Sequence, residues 1–433
     1  MRYLLLPLAA LLSSNALLLA GHGLLLTLLP LRAEIENFSS AQIGLTGSVY
    51  FIGFVSGCLL TPHIVRRVGH IRTFAVLATV FSAVALLFHA LSAFGAWLLM
   101  RFVVGACISG LYMVIESWLN DRSTRETRGT LLSLYTVINL TMIMLGQQLL
   151  NIASPSGPVL FGLASVLLSL AIVPVSLTVT LAPAPMQTVR LDFRRVWQLS
   201  HVGIGGSVTS GLVTGAFWTL GPLYARGVGL ETAQLALFMS AAVLGGALFQ
   251  LPLGRISDHY DRRLVLFFSS LVGAAMSLAL ALLAGLGNLL PVVAIGWGGM
   301  VMTMYAISLA HASDSAEAGE FVMVGSVILL IFGVSSAVGG PLAALFMAII
   351  GPSGLFVFSA ACLVGFALVI SIRRKTHVLP VHDETDPFRP VSVTSPAVFE
   401  MDPRTGPVDE TGAEHQSAWE QATSGEAESR HQQ

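Results

Sequence analysis

Gly254–Arg263 reads GRISDHYDRR, a polar run set between two apolar stretches that are each long enough to cross a bilayer. Glycine opens it, Asp258 follows four residues on, and Asp261, Arg262 and Arg263 close it with an acid and two bases. So short and so charged a run reads as a connector between two helices. The remainder of the chain is read outward from it.

Composition places the flanking stretches in a membrane. Of the 433 residues 55% are hydrophobic, only 10% are charged, and glycine occurs 42 times. Crossing the hydrocarbon takes roughly 20 apolar residues, because backbone polar groups must pair inside the helix. Twelve such stretches fit before residue 374, at 4–31, 42–65, 73–92, 95–119, 129–151, 158–181, 201–225, 232–254, 264–285, 289–311, 320–349 and 353–373. The first is too long for the apolar core of a secretion signal. The net charge of −1 hides a division, since eleven of the 23 acids lie beyond Pro380. Cys58, Cys107 and Cys362 stand singly in apolar runs and read as buried free thiols. Lys375 is the single lysine and no glycine-rich run precedes it, so the phosphate-cradling loop of ATPases is absent. No nucleophile, base and acid set and no metal-ligand cluster is apparent. An enzyme is not expected, and neither is a cofactor, a metal or a nucleic-acid partner.

The chain repeats itself. Shifted by 192 residues, GLLLTLLPLRA at Gly23–Ala33 falls on GAFWTLGPLYA at Gly215–Ala225, and Ser48 and Gly53 fall on Ser240 and Gly245. The domain expectation follows: a six-helix half over 1–181, a linker over 182–200, a second half over 201–373, and a disordered tail over 374–433 whose composition is rich in Pro, Asp, Glu, Ser and Thr. Arginine crowds one set of connectors, with Arg66, Arg67, Arg72, Arg122, Arg125, Arg128, Arg255, Arg262 and Arg263 among them, while Arg32 and Arg226 lie on the other side. The positive-inside rule then makes both termini cytoplasmic, and six spans per half make the repeats parallel.

GRISDHYDRR resembles the signature loop of the major facilitator superfamily, Gly-x-x-x-Asp-x-x-(Gly/Asp)-Arg-(Lys/Arg). Arg101-Phe-Val-Val-Gly105 is similar to that family's RxxxG motif. Gly333, Gly339, Gly340 and Pro341 look like its glycine–proline motif. PLRA, RRVGHIRTFA and YMVIESWLN are, more narrowly, like the YcaD-like branch. The resemblance implies an all-α integral membrane fold of twelve transmembrane helices in two pseudo-symmetric halves, working as a monomer in the cytoplasmic membrane. It also implies a secondary active transporter for a small molecule, coupled to protons or another ion, with Arg101 tied to coupling.

One departure stands out. The repeat register puts Arg66 where Asp258 stands, Pro62 at Gly254 and His70 at Arg262, so the first-half loop has lost its acid. The family's fold brings the second and eleventh helices together, and the fifth and eighth. Arg66 and Arg67 are therefore expected to face Glu317 and Glu320. Asp258 and Asp261, with Gly254, Arg262 and Arg263 on the same loop, are expected to face Arg122, Arg125 or Arg128. These pairs would form a cytoplasmic gate.

Charge inside a span is costly and marks function by default. Arg101 and Glu116 lie in the fourth span about 60° apart around the helix and ~22 Å apart along it, too far to pair directly. With His22 they are the proton-coupling candidates. The stripe of Asn15 and His22 in the first span and that of Ser207, Ser210, Thr214 and Trp218 in the seventh read as cavity lining, joined by Asn139 and Gln147 in the fifth and Trp297 and Tyr305 in the tenth. Such a lining, apolar with aromatics and amides, suits an amphiphilic, weakly charged substrate and slightly favours efflux over uptake. The alternative expectation is a non-transporting receptor or scaffold that signals through its tail.

Overall fold

The computed structural model describes residues 2–123, 127–177, 191–317, 320–374 and 393–401. Within them the chain forms α1 (Arg2–Ile35), α2 (Ser40–Val68), α3 (His70–Ala90), α4 (Phe94–Arg122), α5 (Arg128–Gln148) and α6 (Val159–Leu170). The second half follows with α7 (His201–Gly227), α8 (Thr232–His259), α9 (Arg262–Leu282), α10 (Leu290–Ser313), α11 (Phe321–Ile350) and α12 (Gly354–Arg374). A short turn at Ile172–Ser176 prolongs α6 past a break that precedes Pro174, which has no N–H to offer the carbonyl four residues back.

Eleven of these helices are long and apolar enough to cross a membrane. The twelfth, α7, falls short on hydropathy because glycine, serine and threonine fill it. Twenty of its 27 residues are buried, so it faces protein and needs little lipid-compatible surface. Elsewhere large apolar side chains such as Leu99, Leu282 and Ile349 are more than half exposed, as a lipid-facing surface requires.

The duplication survives folding. His70–Ala90 and Arg262–Leu282 are offset by 192 residues at both ends, since 70 and 262 begin them and 90 and 282 end them. Inside the first half α2 packs on α4, and inside the second α8 packs on α10. Both crossings use the glycine the repeat predicts. A Cβ on Gly53 would stand 2.1 Å from the Phe102 carbonyl oxygen, and one on Gly245 would stand 2.0 Å from that of Ile295. At such distances only glycine lets the two backbones meet.

Between the halves α2 packs on α11, α5 on α8, and α7 on α1 and α2. The contacts gather at the end of the bundle away from the arginine-rich connectors. Gly44 and Gly340 meet there backbone to backbone. Ser48 donates to the Ala337 carbonyl, Gln148 Nε2 to Ser240 Oγ at 2.7 Å, and Arg226 pairs with Glu34 at 3.4 Å. That end is shut.

Two expectations need correcting. Cys58 and Cys107 are buried free thiols, but Cys362 is partly exposed. More consequentially, part of the stretch read as a disordered tail is packed. Pro396–Met401 forms a 3-10 turn, and Ala397, Val398 and Phe399 are 5%, 1% and 1% exposed. It lies against α4, α5 and α11. A local apolar cluster, PAVF, overrides the polar average of the stretch that holds it.

Candidate functional site

A cavity of about 190 Å³ lies between the halves. The first half contributes His22, Tyr50, Phe51, Phe54, Arg101, Tyr112 and Asn139 to its wall, and the second contributes Ser210, Thr214, Trp218, Gln250, Tyr305 and Phe332. Aromatic and apolar surface dominates, with few charges.

Arg101 carries the cavity's cation. α4 enters the bundle at the closed end, so a residue two turns in comes to lie beside the chamber. It is 4% exposed, its guanidinium carbon lies 5.6 Å from the centre of the Tyr50 ring, and its Nε has no hydrogen-bond partner. Tyr50 in turn places its hydroxyl 3.4 Å from His22 Nε2, and the two rings lie nearly parallel with centres 6.2 Å apart. Arg101, Tyr50 and His22 thus form one linked group on the first-half wall.

Glu116 sits on the same helix four turns further toward the arginine-rich end. It is fully buried, and the Tyr135 hydroxyl donates to its Oε1 at 2.8 Å. The Ser395 hydroxyl, from the packed tail segment, donates to Oε2. Among the described residues neither Arg101 nor Glu116 forms an ion pair. Each is a formal charge in a low-dielectric interior, answered by a ring face or by hydroxyls.

The other expected lining residues divide. Asn139, Ser210, Thr214, Trp218 and Tyr305 border the cavity with His22, and the hydroxyls of Ser210 and Tyr305 have no partner. Asn15 stands behind the wall and donates to Asn139 Oδ1 at 2.6 Å. Ser207 is spent on the Ile328 carbonyl at 2.8 Å, tying α7 to α11. Gln147 accepts from Ser240 at 3.1 Å and belongs to the seam at the closed end. Trp297 is not at the cavity: its Nε1 donates to Ser277 Oγ at 3.0 Å and its ring packs on Phe217 and Phe356. The sequence pattern did not single out Tyr50, Tyr135 or Ser395. Tyr50 could have been found from its place on the α2 face that carries Gly53.

The connectors also rearrange the expected gate. Glu317 and Glu320 are held by Arg195, at 3.0 and 2.9 Å, rather than by Arg66 and Arg67, which are exposed in the last turn of α2. Arg195 lies on a short helix of the linker, Phe193–Leu199, whose N-terminus is capped by the Asp192 carboxylate. The linker, which sequence spacing leaves featureless, reaches those acids first. The hydrogen bonds from Arg195 hold the Glu320 carboxyl below the usual carboxylate range. Arg262 is buried and pairs with Asp258 at 3.4 Å and Asp314 at 2.7 Å. Asp261 caps α9 by accepting from the Arg263 amide at 2.8 Å, Gly254 is buried in α8, and Arg128 Nε donates to Ser123 Oγ at 3.3 Å. Arg125 lies outside the described residues.

A parallel pair of six-helix halves closed at one end around a cavity is the architecture of a transporter. The Major Facilitator Superfamily pattern matches residues 11–199 and 203–401, and the chain belongs to that family. An "uncharacterized MFS-type transporter YcaD" of Escherichia coli O6:K15:H31 (strain 536 / UPEC) is 29% identical over 379 residues, covering 86% of this chain and 97% of the relative. The protein of the same description from strain K12 / DH10B is 28% identical over 376 residues, with the same coverage. Among solved structures, the nucleoside transporter NupG superimposes with a TM-score of 0.69 at 14% identity, covering 87% of this chain and 100% of that one. A D-xylose–proton symporter does so with 0.66 at 13% identity, covering 84% and 96%. These likenesses establish the fold: a multi-pass membrane protein of the superfamily.

Proposed function

We propose that the chain is a secondary active transporter that carries a small amphiphilic, weakly charged molecule across the bacterial cytoplasmic membrane by alternating access, driven by protons and working as efflux. The observation that carries this reading is the chamber itself. It lies between parallel halves, is shut at one end, and has one buried cation, Arg101, on its wall, while the buried Glu116 carboxyl lies further along the same helix behind the tail segment and forms no ion pair with it. Binding near the bilayer midplane at the repeat interface is how such folds alternate. With the arginine-rich connectors and both termini on the cytoplasmic side, the shut end is periplasmic and the chamber is turned inward.

Arg101 is the natural anchor for a single negative charge, because a buried guanidinium without a carboxylate gains from any anion that reaches it. Tyr50, Phe54, Trp218 and Phe332 offer apolar contact to the remainder of such a molecule. Glu116 is the natural proton carrier, since hydroxyls can serve it whether or not it holds a proton. Proton-driven relatives of the fold, among them a fucose:proton symporter, support the coupling reading.

The test is the purified protein in liposomes that enclose a pH dye, screened with amphiphilic carboxylates, amines and neutral compounds. A compound-dependent proton flux is expected, lost in Glu116→Gln and weakened in Arg101→Ala. Flux that survives both substitutions would remove the coupling assignment, and no flux with any compound would favour the receptor reading.

A further inference from the structure

We infer that residues 393–399 are a built-in stopper: a segment of the chain's own tail that docks in the arginine-rich mouth of the cavity, occupies Glu116 and must withdraw before the chamber can exchange its contents with the cytoplasm. This rests on the transport reading only in naming the chamber as a path. The docking itself stands on four observations.

Val393 and Thr394 form part of the cavity wall. Ser395 reaches the fully buried Glu116 carboxyl, and its own oxygen accepts from the Ala397 amide at 3.2 Å, which folds the segment into a turn. Phe399 lies where any side chain on Gly325 would be, since a Cβ there would stand 2.6 Å from the ring, and it meets Phe321 edge-on at 6.3 Å. Finally, Glu116 belongs to the first half and Phe321 and Gly325 to the second, so this one segment touches both halves at the end that helix contacts leave to it.

These contacts are those of a ligand. A hydroxyl answers the buried carboxyl, an aromatic ring fills a slot floored by glycine, and the space left behind is about 190 Å³, below the ~300–1,000 Å³ of ordinary small-molecule sites. Withdrawal would enlarge the chamber and take the Ser395 hydroxyl away from Glu116. Substrate and segment therefore compete for one place, and whatever displaces Ser395 must bring a hydrogen-bond donor of its own, an O–H or an N–H, or admit water. Eighteen residues, 375–392, separate the segment from α12. Fully extended they span about 60 Å, enough for both docked and withdrawn positions.

The docking is tested without knowing the substrate. In the full chain, with Cys58, Cys107 and Cys362 replaced by alanine, the pair Gly325→Cys and Phe399→Cys should form a disulfide on mild oxidation, whereas Val364→Cys on the exposed side of α12 with Phe399→Cys should not. Absence of the first cross-link, or equal yields of both, overturns the docking. In the same background Ser210→Cys, on the cavity wall, is labelled with a cationic methanethiosulfonate from the arginine-rich side. Deleting 376–433 should speed labelling at least tenfold, and a synthetic peptide of residues 390–401 should slow it again, with the Ser395→Ala, Phe399→Ala peptide tenfold weaker. An unchanged rate after deletion overturns the stopper. Faster labelling in a protein that moves no compound in liposomes keeps the stopper and removes the transporter reading alone.

Discussion

Arg262 and His70 occupy one position in the two halves, and they solve it differently. Arg262 is buried between Asp258 and Asp314 in an ion-paired cluster, whereas His70 is buried on a neutral hydrogen bond to Ser117 at 3.2 Å. The 192-residue offset puts Arg66 where Asp258 stands and Arg122 where Asp314 stands. An acid–base–acid cluster in the second half is thus base–histidine–base in the first. The exchange reaches beyond the first-half loop, to the last residue of α4.

The exchange predicts how the two loops respond to substitution. Arg262→Gln leaves two carboxylates without their shared cation and should cost about 2 kcal/mol, the worth of a hydrogen bond to a charged group. His70→Arg should also destabilise, by placing a larger, charged side chain where buried His70 bonds Ser117. Adding Arg122→Asp to His70→Arg should recover part of the loss, because it supplies an acid at the position that Asp314 holds beside Arg262. Melting temperatures of the purified proteins in detergent decide it: a double variant no more stable than His70→Arg would show that the clusters are unrelated.

Gly105 makes a second prediction. It is the glycine of the Arg101–Gly105 motif, and a Cβ on it would stand 2.0 Å from the Tyr50 carbonyl oxygen. Gly105→Ala must push α4 off α2, at a cost of at least ~1–3 kcal/mol for overpacking. Since Tyr50 faces Arg101 across the same contact, cavity binding should fall with stability. A variant with an unchanged melting temperature would separate the motif's glycine from helix packing.

Much of this fold was legible because membrane helices obey one rule. Apolar runs of sufficient length, a 192-residue offset and the arginine bias specify the spans and the halves. α7 was counted among the apolar stretches and matched by the repeat, although its hydropathy falls short of the other eleven helices. The cavity was legible by face: His22, Ser210, Thr214 and Trp218 lie on stripes that do border it. A stripe cannot say how deep the neighbour sits, however, and Ser207 and Trp297 turn out to serve adjacent helices. The pairing of Glu317 and Glu320 with Arg195 was hidden because the linker folds back on α11, a contact with no periodicity to betray it. Ser395 was hidden by averaging: composition over a long polar stretch conceals four apolar residues that suffice to dock it.

The linker contact carries a pH signature. Arg195 holds the Glu320 carboxyl below its ordinary value, so the tie contributes fully above the unfolded carboxylate pKa near ~4.3 and is lost only as pH falls through the depressed folded value. Linker docking should therefore be unchanged from pH 8 to 5 and released below the usual carboxylate range. Arg195→Gln should release it at pH 7. Iodide quenching of Trp197, half-exposed on the same short helix, reports this against a Trp197→Phe control. Release near pH 6 would instead implicate His201, whose ring lies 4.7 Å from that of Trp197.

The last prediction separates proton carriage from binding at Glu116. Gln has the shape of a protonated Glu and can accept from one of the two hydroxyls, Tyr135 or Ser395, on its carbonyl oxygen while its amide donates to the other, but it takes up no proton. Glu116→Gln should therefore abolish proton-driven accumulation while leaving compound exchange across the liposome membrane intact within a few-fold. Tyr135→Phe removes the 2.8 Å hydrogen bond and leaves the carboxyl in place. It should shift the pH dependence of accumulation without abolishing it. Arg101→Lys keeps the charge but loses the planar fork, so it should raise the apparent KM of a carboxylate substrate about tenfold, with the proton step unchanged. If Glu116→Gln stopped exchange as completely as accumulation, Glu116 would be a binding residue, and the search for the proton carrier would move to His22, which faces Tyr50 on the opposite stretch of the same wall.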